Sequence, residues 1–247
     1  MKKFLTMLLI ILLCLFIADI ISQANKTQIV LLSGDVMGFE IENYNEDNQN
    51  QELIPTSAQK LGVVTFIKKS SHEFSALGHP VIQNCKKSEI EGICREVNID
   101  KIDKSYQNHI GYIHGTLKNE KQIGIVNKNN EYGIFGTINE VEEKDYNEIQ
   151  TASKYEIRLG EAELVISLEN EELQSYKIDI VAINYMSNNK NIRVRIQDDE
   201  LISKTGGIVQ GMSGAPVIQN GRLIGAINYA NSENPKDAYA IFVDKLL

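Results

Sequence analysis

Residues Gly206 to Ile227 read GGIVQGMSGAPVIQNGRLIGAI, and no other stretch constrains the architecture as tightly. Ser213 stands between Gly211-Met212 and Gly214, where the backbone turns sharply and aims its amides outward. Pro216 follows, and the run from there crosses Asn220-Gly221, the dipeptide of a type I′ hairpin, into a second apolar run. The stretch therefore predicts a glycine-rich loop presenting a hydroxyl, then a β-hairpin. A strand-to-helix nucleophile elbow needs G-x-S-x-G followed by a helix. Here Ala215 replaces the second glycine and a hairpin replaces the helix, so that architecture is excluded.

Outward from this loop the chain reads as strand after strand. Runs rich in Val, Ile, Tyr and Thr occupy Thr27–Leu32, Gly62–Lys68, Ile110–Leu117, Gln122–Asn127, Tyr132–Ile138, Glu163–Leu168, Tyr176–Asn184, Asn191–Ile196, Leu223–Tyr229 and Ala238–Val243. Turn chemistry at Asn129-Asn130 and Asn188-Asn189 separates several of them. One amphipathic helix is predicted around Lys144–Ser153, and Asn43–Gln51 reads as a polar loop or linker. Many short strands at close spacing predict an all-β sandwich or barrel. The 247 residues suffice for one sizeable domain or two small packed ones, and 43% hydrophobic with 23% charged residues is globular composition. The net charge of −8, with no basic cluster, excludes a nucleic-acid partner that relies on phosphate neutralisation.

The N-terminus poses a separate problem. Lys2 and Lys3 precede an uncharged run from Phe4 to Ala18, resumed after Asp19 at Ile20 and Ile21. That pattern predicts export, with residues 1–25 either a cleaved signal peptide or a signal anchor holding the protein in the membrane through residues 4–21. Of the remaining cysteines, Cys85 and Cys94 are nine apart, and either close a loop as a disulfide in an oxidising compartment or stay unpaired. A zinc site from His79, Cys85 and Cys94 lacks the usual ligand spacing, and neither metal nor cofactor is expected.

A serine in G-x-S-G-x-P ahead of a strand is the arrangement around the nucleophile of chymotrypsin-like serine proteases, and such a serine needs a base. Of His72, His79, His109 and His114, His79 is the candidate: it closes the strand-like run Phe74-Ser75-Ala76-Leu77-Gly78 and precedes Pro80. Together the two motifs, SALGHP around His79 and KTGGIVQGMSGAPVIQNGRLIGA around Ser213, resemble the stage IV sporulation protein B (SpoIVB) peptidases of endospore-forming bacteria. The stretch Pro235-Lys236-Asp237-Ala238-Tyr239-Ala240-Ile241-Phe242 extends the likeness. It is clear from about Gly62 onward and strongest over 198–243.

The resemblance implies a chymotrypsin-like double β-barrel over 61–247, with strands beginning near residue 26, behind an N-terminal membrane segment. It implies a triad of His79, Asp198 and Ser213, with an oxyanion hole from the amides of Gly211 and Ser213. Asp198 is chosen because the family's acid lies fifteen residues before the serine; Asp100 and Asp103 fit the chain order of the double barrel better. In the same layout the floor of the primary pocket falls at Gly207, which carries no charge to attract a substrate Lys or Arg. The residue before the nucleophile is Met212, which cannot pair with a newly freed amine, so activation by such a cut is not expected.

What the family implies about biology is a membrane-anchored peptidase exported from the forespore into the space between forespore and mother cell. There it cuts itself and a regulator of the intramembrane protease complex that activates the late mother-cell sigma factor. Residues 26–60 are too few for the PDZ domain that usually precedes the peptidase. Two other readings stand beside this one: a catalytically silent, partner-binding β-barrel, and an envelope quality-control serine peptidase.

Overall fold

A computed structural model of the chain describes residues 7, 10–14, 27–45, 54–81, 89–118, 122–141, 146–168 and 172–247. The chain is all-β, and its strand pairing closes on itself in rings. One six-stranded ring runs β10 (Gly160–Ile166), β11 (Gln174–Ile183), β12 (Ile192–Ile196), β15 (Asp237–Phe242), β14 (Arg222–Ala230) and β13 (Pro216–Gln219), closed by pairing of β13 with β10. A second circuit runs β3 (Ile54–Ile67), β2 (Val36–Asn45), β5 (Glu89–Asp103), β7 (Gly124–Asn130), β8 (Gly133–Ile138) and β4 (Glu73–Ala76), which pairs back onto β3. Closure of this kind removes the exposed edges that an open sheet would present.

Two short strands join the circuits. β1 (Ile29–Leu32) pairs antiparallel with both β3 and β9 (Asn147–Thr151), and β9 runs parallel to β14. Residues 147–151 are therefore a strand, where the sequence predicted a helix around Lys144–Ser153; pairing on two sides overrides a weak local helical pattern. β6 (Tyr112–Leu117) lies outside the rings, paired with the far half of β5 and bridged through Tyr112 to Gln210. Helix α1 (Asp199–Thr205) was not foreseen, being only seven residues long.

Period-two alternation places the core. Along β12, Ile192, Val194 and Ile196 point inward and Arg193 and Arg195 outward. They join Leu164, Ile166, Ile178, Val217 and Phe242 inside the first ring. Phe39, Phe74, Cys94, Val126 and Ile134 fill the second circuit. A third cluster, including Val30, Phe66, Val165, Leu223 and Ile241, draws on both and seals the seam. Each such side chain contributes about 1.5–3 kcal/mol of burial. Asp237, fully buried, is held by Arg193 Nη2 at 2.5 Å and Arg195 Nε at 2.6 Å, tying β12 to β15.

The apolar run at residues 4–21 lies mostly outside the described residues; residues 7 and 10–14 are helical. No helix among the described residues is long and apolar enough to cross a membrane. Of the polar stretch Asn43–Gln51, residues 43–45 continue β2 and the rest lies outside the described residues.

Candidate active site

The loop carrying Ser213 is built by glycines. Helix α1 ends on Gly206 at φ 70°, and Gly207, at φ 153°, presses so closely on Pro235 that a Cβ would lie 2.3 Å from the Pro235 carbonyl oxygen. Gly207 thus lets two backbones touch, and its position supplies no charge. Beyond it nearly every amide is committed: Ile208 donates to Pro235 O (2.8 Å), Gln210 to Gly111 O (2.8 Å) and Met212 to Val209 O (3.2 Å). Gly214 donates to Ile227 O (2.7 Å) and Ala215 to Met212 O (3.0 Å). Among the described residues the amides of Gly211 and Ser213 donate to nothing, and neither does the Ser213 hydroxyl. Met212 is fully buried, its Sδ 3.5 Å from the Val209 amide, so packing rather than an ion pair shapes the loop.

His79 leaves the end of β4 through two residues in left-handed conformation, Leu77 (φ 69°) and Gly78 (φ 64°). Its ring is half-buried and stacks on Tyr229, centroids 5.6 Å apart. Nδ1 lies 3.0 Å from the Pro80 carbonyl oxygen. A carbonyl only accepts, so this bond requires the Nδ1–H tautomer and leaves Nε2 as the proton acceptor. Burial holds the imidazole below its usual pKa, against a raising effect of the Pro80 carbonyl, with Lys60 lowering it further. It is therefore a neutral base near pH 7.

One carbonyl brings the two side chains' backbones together. Ile227 O accepts from Gly214, and a Cβ at Gly78 would come within 3.2 Å of the same oxygen. A Cβ at Gly214 would lie 2.0 Å from Val63 O and 2.6 Å from the Leu77 nitrogen. Val63 donates to Ser213 O (2.8 Å) and Thr65 Oγ1 to Gly214 O (2.7 Å), pinning the serine loop to β3. The backbones of the loops that carry Ser213 and His79 thus pack together where the two rings join, and among the described residues no hydrogen bond links the serine hydroxyl to the imidazole.

Asp198 is elsewhere. It is the N-cap of α1, its Oδ1 accepting from Glu200 (3.1 Å) and Leu201 (3.0 Å), its Oδ2 from Lys177 (3.3 Å). No hydrogen bond joins it to His79 among the described residues. Asp103, the alternative by chain order, bonds His114 Nε2 at 2.6 Å, and that ring lies tilted against Tyr112, centroids 3.9 Å apart. Asp100 accepts from Thr116 (3.3 Å). Cys94 is a free thiol buried in the core, pushed up to about 12 by burial, while Cys85 lies outside the described residues. No metal-binding cluster of His, Cys, Asp and Glu occurs among the described residues. The sequence reading overlooked Tyr229 and the Pro80 carbonyl, which no residue-type pattern distinguishes.

The chain belongs to the SpoIVB peptidase family S55, whose profile matches residues 52–247. None of the curated proteins compared matches it significantly. Among solved structures it is similar to an inactive serine-to-alanine mutant of Rv3671c from M. tuberculosis H37Rv, at 8% identity, TM-score 0.37, covering 83% of this chain and 80% of that one.

Proposed function

We propose that this protein is a serine endopeptidase with a chymotrypsin-like double β-barrel, acting in sporulation signalling. What supports the chemistry is the packing of the Ser213 and His79 loops beside the Ile227 carbonyl, with the Gly211 and Ser213 amides donating to nothing among the described residues. Ser213 Oγ attacks the scissile carbonyl while His79 Nε2 takes its proton, and the two amides hold the oxyanion. The imidazolium then protonates the leaving amine, and water activated by the same nitrogen releases the acyl group. Pro80 O holds the required tautomer. Asp198 enters as the family's acid by position, with its cap bonds as its observed role. A neutral or small residue before the scissile bond fits an uncharged Gly207.

Family membership and the export-type N-terminus support the setting: anchorage through residues 4–21, exposure to the space between forespore and mother cell, and cleavage of itself and of a regulator of an intramembrane protease complex. The test is labelling of the full chain by a serine-directed phosphonate, with casein cleavage in parallel. Ser213→Ala and His79→Ala should each lose on the order of 10⁶ in turnover, about 8 kcal/mol, and the double variant no more. Cleavage by folded Ser213→Ala would end the reading. A catalytically silent barrel is the second reading, favoured by the engagement of Asp198 with three amides, and failure of the wild type to label would support it.

A further inference from the structure

Asn228 is 1% exposed, yet among the described residues its Oδ1 has no hydrogen-bond partner. An orphaned acceptor in the interior is costly, and such groups in native proteins call for a reason. Its orientation is fixed, because Nδ2 donates to the Asn189 carbonyl; a flipped amide would set oxygen against oxygen. The residue sits at a bulge in β14: Ile227 opposes Ala240 and Tyr229 opposes Tyr239, leaving Asn228 unmatched. A bulge re-aims a side chain, and bulges concentrate beside active sites. Here Asn228 packs against the residue before His79: a Cβ on Gly78 would lie 3.0 Å from Asn228 Cβ. The next residue, Tyr229, carries the ring on which His79 stacks, and is itself held by Asn189 Nδ2 (3.4 Å) and by Lys190 5.2 Å over its face.

We propose that Asn228 is a positioning residue for His79: its Oδ1 accepts the Nδ1–H bond of the imidazolium that forms when Ser213 gives up its proton, sharing it with Pro80 O. The serine proton goes to Nε2, and Nδ1 keeps its own throughout. An amide can play this part, as the Cys-His-Asn arrangement of papain-like enzymes shows. The proposal rests on the serine-peptidase reading.

Asn228→Ala and Asn228→Asp in the full chain separate positioning from structure. The charged and titratable neighbours of His79 are Lys60, which lowers its pKa, and Tyr229 with Lys190 over it. Asn228→Ala should slow phosphonate labelling and lower kcat on the order of 10²-fold, with KM unchanged. Asn228→Asp keeps the acceptor, so it should retain activity within about threefold of wild type and move the acidic limb of the pH profile upward, because a carboxylate favours the imidazolium. A purely structural asparagine predicts the reverse for Asp, which loses the donor to Asn189 and should then be as impaired as Ala with an unmoved limb; that result overturns the assignment. So does a folded Asn228→Ala that labels at the wild-type rate. Should Asn228→Ala fail to fold, by circular dichroism, the Asp variant decides alone. Failure of the wild type to label at Ser213 overturns the serine-peptidase reading and this assignment with it.

Discussion

Replacing Asp198 by Asn and by Ala discriminates between two jobs for one carboxylate. As N-cap it satisfies the amides of Glu200 and Leu201, and Lys177 besides. Alanine removes all three bonds and should cost about 1–2 kcal/mol, the upper range of cap deletions. For a chain of this size that lowers the thermal midpoint by about 2–8 °C. Asparagine caps almost as well as aspartate, and Asp199 and Glu200 remain to face the helix dipole, so its midpoint should stay within about 1–2 °C of wild type. Activity supplies the second axis. A helix cap remote from His79 predicts near wild-type labelling of Ser213 for Asp198→Asn. A triad acid predicts a loss of about 10⁴, since an amide there supports the wrong tautomer. Phosphonate labelling and differential scanning calorimetry on the same preparations read both axes. A fully stable Asp198→Asn with that loss would refute the reasoning from the cap.

Further outcomes follow from individual groups. Because burial depresses the His79 pKa, the acidic limb of kcat/KM should fall below about 6.5, the ordinary histidine value. Between 6.5 and that lower value the unfolded chain binds a proton that the folded chain does not, so stability should fall as pH drops through the window. Urea titrations at several pH values check the sign. Cys94, with its pKa about 12, should resist iodoacetamide at pH 8 in the native protein and react once unfolded without reductant, as mass spectrometry of its peptide would record. Gly214→Ala forces a Cβ to within 2.0 Å of Val63 O at φ 97° and should cost about 3 kcal/mol or more, with loss of labelling at Ser213.

Legibility in the sequence followed the physics of each element. Asn220-Gly221 adopts φ values of 52° and 70°, as a type I′ turn requires, so the hairpin after the serine was readable from two residues. β12 was readable because one face is buried and apolar, and β15 because Ala238, Ala240, Ile241 and Phe242 form a buried apolar run. β2 and β5 were not among the predicted strands: charged residues such as Glu40, Arg95 and Glu96 interrupt their apolar pattern, and pairing on both sides makes them strands. Ser213 and His79 stand out in the sequence because glycines and motif context mark them. Asp198 shows the limit, for a carboxylate ahead of a short helix reads the same whether it serves a base or a cap. Asn228 carries no mark, since the bulge that re-aims it exists only once β14 is registered against β15.

The hydrogen bonds from Val63 and Thr65 to the serine loop span about 150 residues of sequence. Their consequence lies in the order of synthesis. His79 leaves the ribosome long before Ser213, and neither is placed until β14, whose Ile227 carbonyl both loops share, has been made and enclosed by β15. A chain made only as far as Ser213 therefore holds serine and histidine without the strand against which both loops pack. On the serine-peptidase reading proposed above, an unfinished chain cuts nothing, and completing the barrel is what arms it.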